Sequence, residues 1–238
     1  MNNTKKGYYL LTSFIFLLVS TSCAVSRHNI AGTTYGWSQS GFEVLSDVQV
    51  SGLQVRHVKN NNQKCVRGAY EHLELNGPIG PDSTFVVEEF LRKINKCTND
   101  EAGNWISTSV YLNSDGGLVE HGFALGLLFK KYQVVAIITG EQYCASSCAI
   151  AFLGAKYRYM YSDGKLLFHA PYIYDANGIS CSNQELKDKI RQYYVEFLGE
   201  NEGERLYDRT MSYCSDSNGW LLNKDAARIY GLLTPEPN

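Results

Sequence analysis

Asn113-Ser114-Asp115-Gly116-Gly117, Cys144-Ala145-Ser146-Ser147-Cys148 and Phe168-His169-Ala170-Pro171 follow one another in that order, each where an apolar run gives way to something else. Before the first, Trp105 to Leu112 reads as a strand; after it, Leu118, Phe123, Leu127 and Leu128 recur at helical spacing. Val134 to Ile138 is wholly apolar, as a buried strand would be, and a turn then leads into a helix from about Ser146 to Leu153. Lys165 to Phe168 is a further strand that delivers His169. Strand-then-helix units repeated in this way predict an α/β fold with a mostly parallel sheet covered by helices.

Outward from this centre the pattern continues. Tyr70 to Leu75 alternates as a strand and stops at Asn76-Gly77-Pro78. Asp82 or Ser83 can cap a helix with Val86, Phe90, Leu91 and Ile94 on one face. Ser182-Asn183-Gln184-Glu185 reads as a capping box opening a helix with Leu186, Ile190, Tyr194 and Phe197, and Lys224 to Tyr230 is a last helix. Residues 25–64 form a β-rich N-terminal extension, with alternation in Phe42 to Leu45, Val48 to Val50 and Leu53 to Val58, closed by a polar turn at 59–64. The expected organisation is thus 1–24, 25–64 and 65–238.

Residues 1–24 read as a targeting segment. Lys5 and Lys6 precede an apolar run from Tyr8 to Val19, and small residues follow at Ser20 to Ala24. Cleavage before Cys23 with lipid attached there, or cleavage after Ala24, both fit, and both predict an exported protein, periplasmic or anchored in the cell envelope of a bacterium. Of the seven cysteines, Cys65, Cys97, Cys144, Cys148, Cys181 and Cys214 would then remain. An even set in an exported chain points to disulfides, with neighbours in sequence order the expected pairs; zinc is the rival reading of Cys-x-x-x-Cys, although no second close pair completes a site. No cofactor is implied. The net charge of −2, without a clustered basic face, argues against nucleic acid.

The three opening pieces also carry chemistry. Gly116-Gly117 at a strand-to-helix turn lets backbone N–H groups face a ligand closely, though an Asp-Gly turn alone is commonplace. Ser146 and Ser147 stand at the next such junction; either could be a helix cap, and either could be a nucleophile. His169, at a strand end, titrates near neutrality and is the natural base for Ser146, or else a satisfied core histidine. His121, on the helix after Gly117, reads as helix surface or cleft wall.

Leu112-Asn113-Ser114-Asp115-Gly116-Gly117 resembles the Asn-Ser-Pro-Gly-Gly turn of the Clp protease proteolytic subunit and its crotonase-fold relatives. Cys144 to Ala149 followed by Phe152-Leu153-Gly154-Ala155 is similar to their nucleophile helix, and Leu167 to Pro171 to their Met-Ile-His-Gln-Pro. Ala226 to Leu232 is similar to their C-terminal Glu-Ala-x-x-Tyr-Gly-Leu. The resemblance spans about residues 70–233 and implies a spiral of β-β-α units. It further implies Ser146 as nucleophile, His169 as base, and the N–H groups of Gly117 and Ser147 as oxyanion hole, with Gly116 the alternative donor. Asp216, or alternatively Asn218, would orient His169. Asp115 stands where the family has Pro, which sets a negative charge beside that hole. The activity implied is a serine hydrolase acting on a peptide or protein, with homo-oligomer formation left open; export departs from the family in leaving no ATPase partner. The alternative is a binding or assembly module that kept the fold with a weak or dead site. Acyl-CoA chemistry, as in crotonases, does not suit an exported chain.

Overall fold

The computed structural model describes residues 41–62, 70–94, 108–176, 178–215 and 218–235. In chain order the elements are β1 (Phe42–Val50), β2 (Leu53–Asn60), β3 (Glu71–Asn76), α1 (Ser83–Lys93), β4 (Ser109–Asn113), α2 (Val119–Lys131), β5 (Val135–Ile138) and β6 (Tyr143–Ala145). Then come α3 (Ser147–Leu153), β7 (Tyr157–Met160), β8 (Lys165–Phe168), β9 (Ile173–Asp175), β10 (Gly178–Ser180), α4 (Gln184–Leu198), α5 (Glu200–Met211), β11 (Trp220–Leu222) and α6 (Lys224–Ile229).

A six-stranded sheet has the order β1-β2-β3-β4-β5-β7, and a second sheet the order β11-β8-β6. The step from β3 to β4, β5 and β7 is parallel throughout, as is β6 on β8. The β1–β2 hairpin, foreseen as part of the N-terminal extension, continues the large sheet through antiparallel pairing of β2 with β3. From β5 to β8 successive strands alternate between sheets: β5 joins the large one and β6 the small one before α3, and β7 and β8 repeat the step. This is the predicted spiral of β-β-α units. Its centre is α3, whose seven residues are all buried and which packs on α2, β6 and β8. Burial of this kind fits its composition, Ser-Cys-Ala-Ile-Ala-Phe-Leu, with no charge to keep in water.

Several local expectations shift. Asp82 precedes α1 in a left-handed conformation (φ 64°) and makes no side-chain cap; Ser83 Oγ is turned inward instead and accepts from the Gly80 N–H at 3.0 Å. The core face of α1 carries Val87, Phe90 and Leu91, with Val86 only partly buried. On α2 the buried residues are Gly122, Leu125, Gly126, Leu128 and Phe129, while Leu118 and Leu127 stay about half exposed. A periodicity built on large residues misses this face because its contact is made by glycines. A Cβ on Gly122 would stand 2.6 Å from Ser147 O, and the Gly154 Cβ position is 2.2 Å from Gly126 O. The cap of α4 is Asn183 rather than Ser182, its Oδ1 accepting from the Leu186 N–H at 2.9 Å. β6, β7, β9, β10 and β11 are three or four residues long, too short for a periodic signal. α5 was also unforeseen, because its charged sequence buries only Gly203, Leu206 and Thr210.

Candidate active site

Ser146 occupies the single residue between β6 and α3 with φ 56° and ψ −122°. A side chain in that region costs on the order of 1–3 kcal/mol and persists only where the surroundings over-determine it. Here the Ser146 N–H donates to Leu167 O at 2.9 Å, and its carbonyl accepts from the Ile150 N–H at 3.1 Å. The backbone of Gly116 closes in from the side: a Cβ there would lie 2.7 Å from Ser146 Cβ and 2.6 Å from Ala145 O. This sharp turn leaves Ser146 partly exposed. Ser147 goes the other way; it is fully buried, and its Oγ makes no hydrogen bond. Of the two serines left open by sequence, Ser146 is the one presented to solvent.

The Asn113–Gly117 turn is hydrogen-bonded to the same strand end. Ser114 donates to Tyr143 O at 2.7 Å and accepts from the Ala145 N–H at 2.9 Å. Ser114 Oγ takes the Gly116 N–H at 3.0 Å, which occupies the donor of the alternative oxyanion residue. Gly116 O accepts from the Ile79 N–H, and Ile79 O from the Leu118 N–H. Gly117 itself has φ 149°, and a Cβ on it would lie 2.0 Å from Ile79 O, so only glycine fits. Among the described residues, neither the Gly117 nor the Ser147 N–H donates a hydrogen bond. Asp115 is exposed. Its charge is felt at Tyr143, whose phenol is pushed up to about 12, first by burial and then by this carboxylate.

His169 follows β8. Ala145 pairs with Leu167 across the parallel β6–β8 ladder, so Ser146 and His169 leave the carboxyl ends of adjacent strands, about 4.8 Å apart across the sheet. Strand carboxyl ends are where open α/β sheets hold ligands. His169 Nδ1 lies 2.8 Å from Ala170 O; donation there makes Nε2 the ring nitrogen that carries the basic lone pair. The imidazole packs at 5.4 Å on the Tyr172 ring. Among the described residues no hydrogen bond joins Ser146 Oγ to His169. The Ala170 N–H donates to Tyr213 O at 2.9 Å, which brings the chain after α5 alongside His169. Asp216 lies outside the described residues. Asn218 is exposed, and its N–H donates to Ser215 Oγ at 3.0 Å. His121 is half-buried on α2.

Two of the expected disulfides are formed, Cys144–Cys148 and Cys181–Cys214; Cys23, Cys65 and Cys97 lie outside the described residues. The sulfurs of Cys144 and Cys148 are thus bonded to each other, which withdraws them as thiolate ligands for zinc. Among the described residues no cluster of metal-ligating side chains occurs, and no helix is long and apolar enough to cross a membrane. Four further participants escaped the sequence: Ile79, Ser114, the Leu167 carbonyl and the Ala170 carbonyl. Three of them act through the backbone, where residue type leaves no mark; Ser114 alone carried a signal, a short hydroxyl beside a glycine turn.

No family model and no curated protein sequence matches this chain. Solved structures do. The membrane-bound stomatin-specific protease 1510-N matches as a serine-to-alanine variant at a TM-score of 0.52 and 14% identity, over 67% of this chain and 75% of that one. A lysine-to-alanine variant of the same protease, in complex with a substrate peptide, matches at 0.52 and 15% over 67% and 71%. ClpP1 from Listeria monocytogenes matches at 0.49 and 21% over 67% and 86%. The fold is therefore the one seen in the stomatin-specific protease.

Proposed function

We propose that this chain is an exported serine peptidase in which Ser146 is the nucleophile and His169 the base. The observation that carries the reading is the backbone of Ser146. A strained residue held by strand, helix and glycine turn, at the carboxyl ends of parallel strands, has the geometry of a nucleophile elbow. Ser146 Oγ attacks the scissile carbonyl while His169 Nε2 takes its proton, with Nδ1 held by Ala170 O. The N–H groups of Gly117 and Ser147, which make no hydrogen bond among the described residues, receive the developing oxyanion. His169 then returns the proton to the leaving amine, and water repeats the sequence on the acyl-enzyme. Catalytic hydrogen bonds are often long in the free enzyme and tighten in the complex, so the open Ser146–His169 contact accords with this route. Asp216 is the proposed orienting acid. The buried Cys144–Cys148 disulfide supports an oxidising compartment outside the cytoplasm, and peptides are the substrate class to test.

The alternative of a binding or assembly module is favoured by that same open contact and by the Asp115 carboxylate beside the hole. One experiment separates them. A fluorophosphonate probe should label purified protein on Ser146; Ser146→Ala should abolish labelling. Ser147→Ala should keep most of it without loss of melting temperature, since an unpartnered buried hydroxyl is removed. Folded wild type that takes no label would overturn the peptidase reading and favour the binding module.

A further inference from the structure

The Cys144–Cys148 bond straddles Ser146. Cys144 is the middle residue of β6, Cys148 lies in the first turn of α3, and both are fully buried. The Cα atoms are 5.2 Å apart and the sequence separation is four, so the covalent ring contains Ala145, Ser146 and Ser147. These are the residues whose dihedrals set the nucleophile and one oxyanion donor. From the serine-peptidase reading above, on which it rests, we infer that this disulfide is a positioning group: it holds Ser146 in its reactive conformation and makes activity conditional on oxidation of the pair.

The hydrogen bonds at Ser146 fix its N–H and its carbonyl from outside. Neither prevents residues 145–147 from relaxing together toward an ordinary helix start, with Ser146 at negative φ. The ring does, because it ties the strand end to the helix turn across that residue. Two thiols cannot occupy the space of one disulfide, since non-bonded sulfurs stand well beyond bonding distance. The reduced pair would press β6 and α3 apart where both are enclosed on every side. The same strand end carries the Ser114 bridge to Cys144, so its displacement also disturbs the turn that presents Gly117. The other described disulfide is different in kind: Cys181–Cys214 spans 33 residues between the start of α4 and the chain after α5, and encloses no strained residue of the site.

Closure needs an oxidant, here a small-molecule disulfide RSSR. The Cys144 thiolate attacks it, forming a mixed disulfide and releasing RS⁻. The Cys148 thiolate then attacks Cys144 Sγ, forming the ring and releasing the second RS⁻. The two protons lost from the protein thiols end on the two RSH formed, and the two electrons reduce RSSR. Because both sulfurs are buried once the core is closed, the exchange takes place during folding. The peptidase would therefore remain inactive in a reducing compartment and become competent on reaching an oxidising one.

The test compares oxidised wild type with Cys144→Ala/Cys148→Ala and with Cys144→Val/Cys148→Ala, which fills the same apolar space. Leu206→Ala, a core truncation in α5, supplies a destabilised control. Steady-state hydrolysis of a peptide ester and fluorophosphonate labelling are measured well below every melting temperature. Both cysteine-pair variants should lose roughly 10- to 100-fold in kcat and labelling rate, the scale of a small misplacement of reacting groups, with KM nearly unchanged. Leu206→Ala should lose stability but keep kcat. As a second measurement on the natural chain, wild type is refolded at graded ratios of reduced to oxidised glutathione. The labelled fraction should track the Cys144–Cys148 bond as counted by peptide mass spectrometry. Equal kcat in wild type and both pair variants, or labelling that ignores the bond, would overturn the inference alone. Oxidised wild type that is never labelled on Ser146 would overturn the nucleophile and the positioning group together.

Discussion

Gly122→Ala sets two well-measured effects against each other. In mid-helix, alanine is better than glycine by about 0.8–1.0 kcal/mol, so propensity alone predicts a stabilised α2. Packing predicts the reverse. The new Cβ would stand 2.6 Å from Ser147 O, 2.8 Å from Ser147 Cβ and 3.0 Å from Ser147 Cα. Two of these atoms are backbone of the first residue of α3, and no rotamer change can move them. The oxygen must retreat by about 0.8 Å to reach ordinary contact at 3.4 Å. Overpacking of this kind typically costs about 1–3 kcal/mol, so packing wins by roughly 1 kcal/mol. A chain of this length should then lose about 2–4 °C in melting temperature. The effect on chemistry is larger, because the displaced residue supplies a proposed oxyanion donor. A misplacement approaching 1 Å can cost on the order of 10²-fold. Thermal melts by circular dichroism and the second-order fluorophosphonate labelling constant read the two effects separately. A variant that melts higher than wild type and labels at the same rate would refute the close approach of α2 to α3 as the element that positions Ser147.

Two further predictions concern charge. Asp216→Asn should lower kcat by up to about 10⁴-fold, the loss seen when the acid of a serine triad becomes an amide, while Asn218→Ala, at an exposed position, should change it little; steady-state kinetics with the reverse ranking would reassign the orienting role to Asn218. Tyr111, on β4, has its phenol pushed up to about 12 by burial first, then by Tyr161 and Glu74. Since the folded value lies above the unfolded one of about 10, the stabilisation is complete below that pH and is lost as pH rises from about 10 through 12, by at most about 2–3 kcal/mol. Tyr111→Phe should flatten the fall of urea stability across that window, and an unchanged slope would show that Tyr111 does not set it.

Sequence by itself determined the architecture of the central domain and the identity of the chemical groups. Val135–Ile138 and Lys165–Phe168 are apolar enough to be buried strands, and the turns after them are marked by glycine, serine and proline. Those signals are local, so composition and spacing register them. Two of the cysteine pairings were also legible, because an even set in sequence order left simple neighbours to join. What tertiary structure alone decided is which atoms meet. The choice between Ser146 and Ser147 rests on the positive φ of Ser146, beside Leu167, Ile150 and Gly116. Ser114 Oγ occupies the N–H of Gly116, the alternative donor to Gly117, and the face of α2 that packs is chosen by its glycines. Most of these are contacts between residues distant in the chain, made largely through backbone atoms that every residue shares. Residue type therefore cannot announce them, and they come into being only when β6, β8, α2 and α3 close on one another.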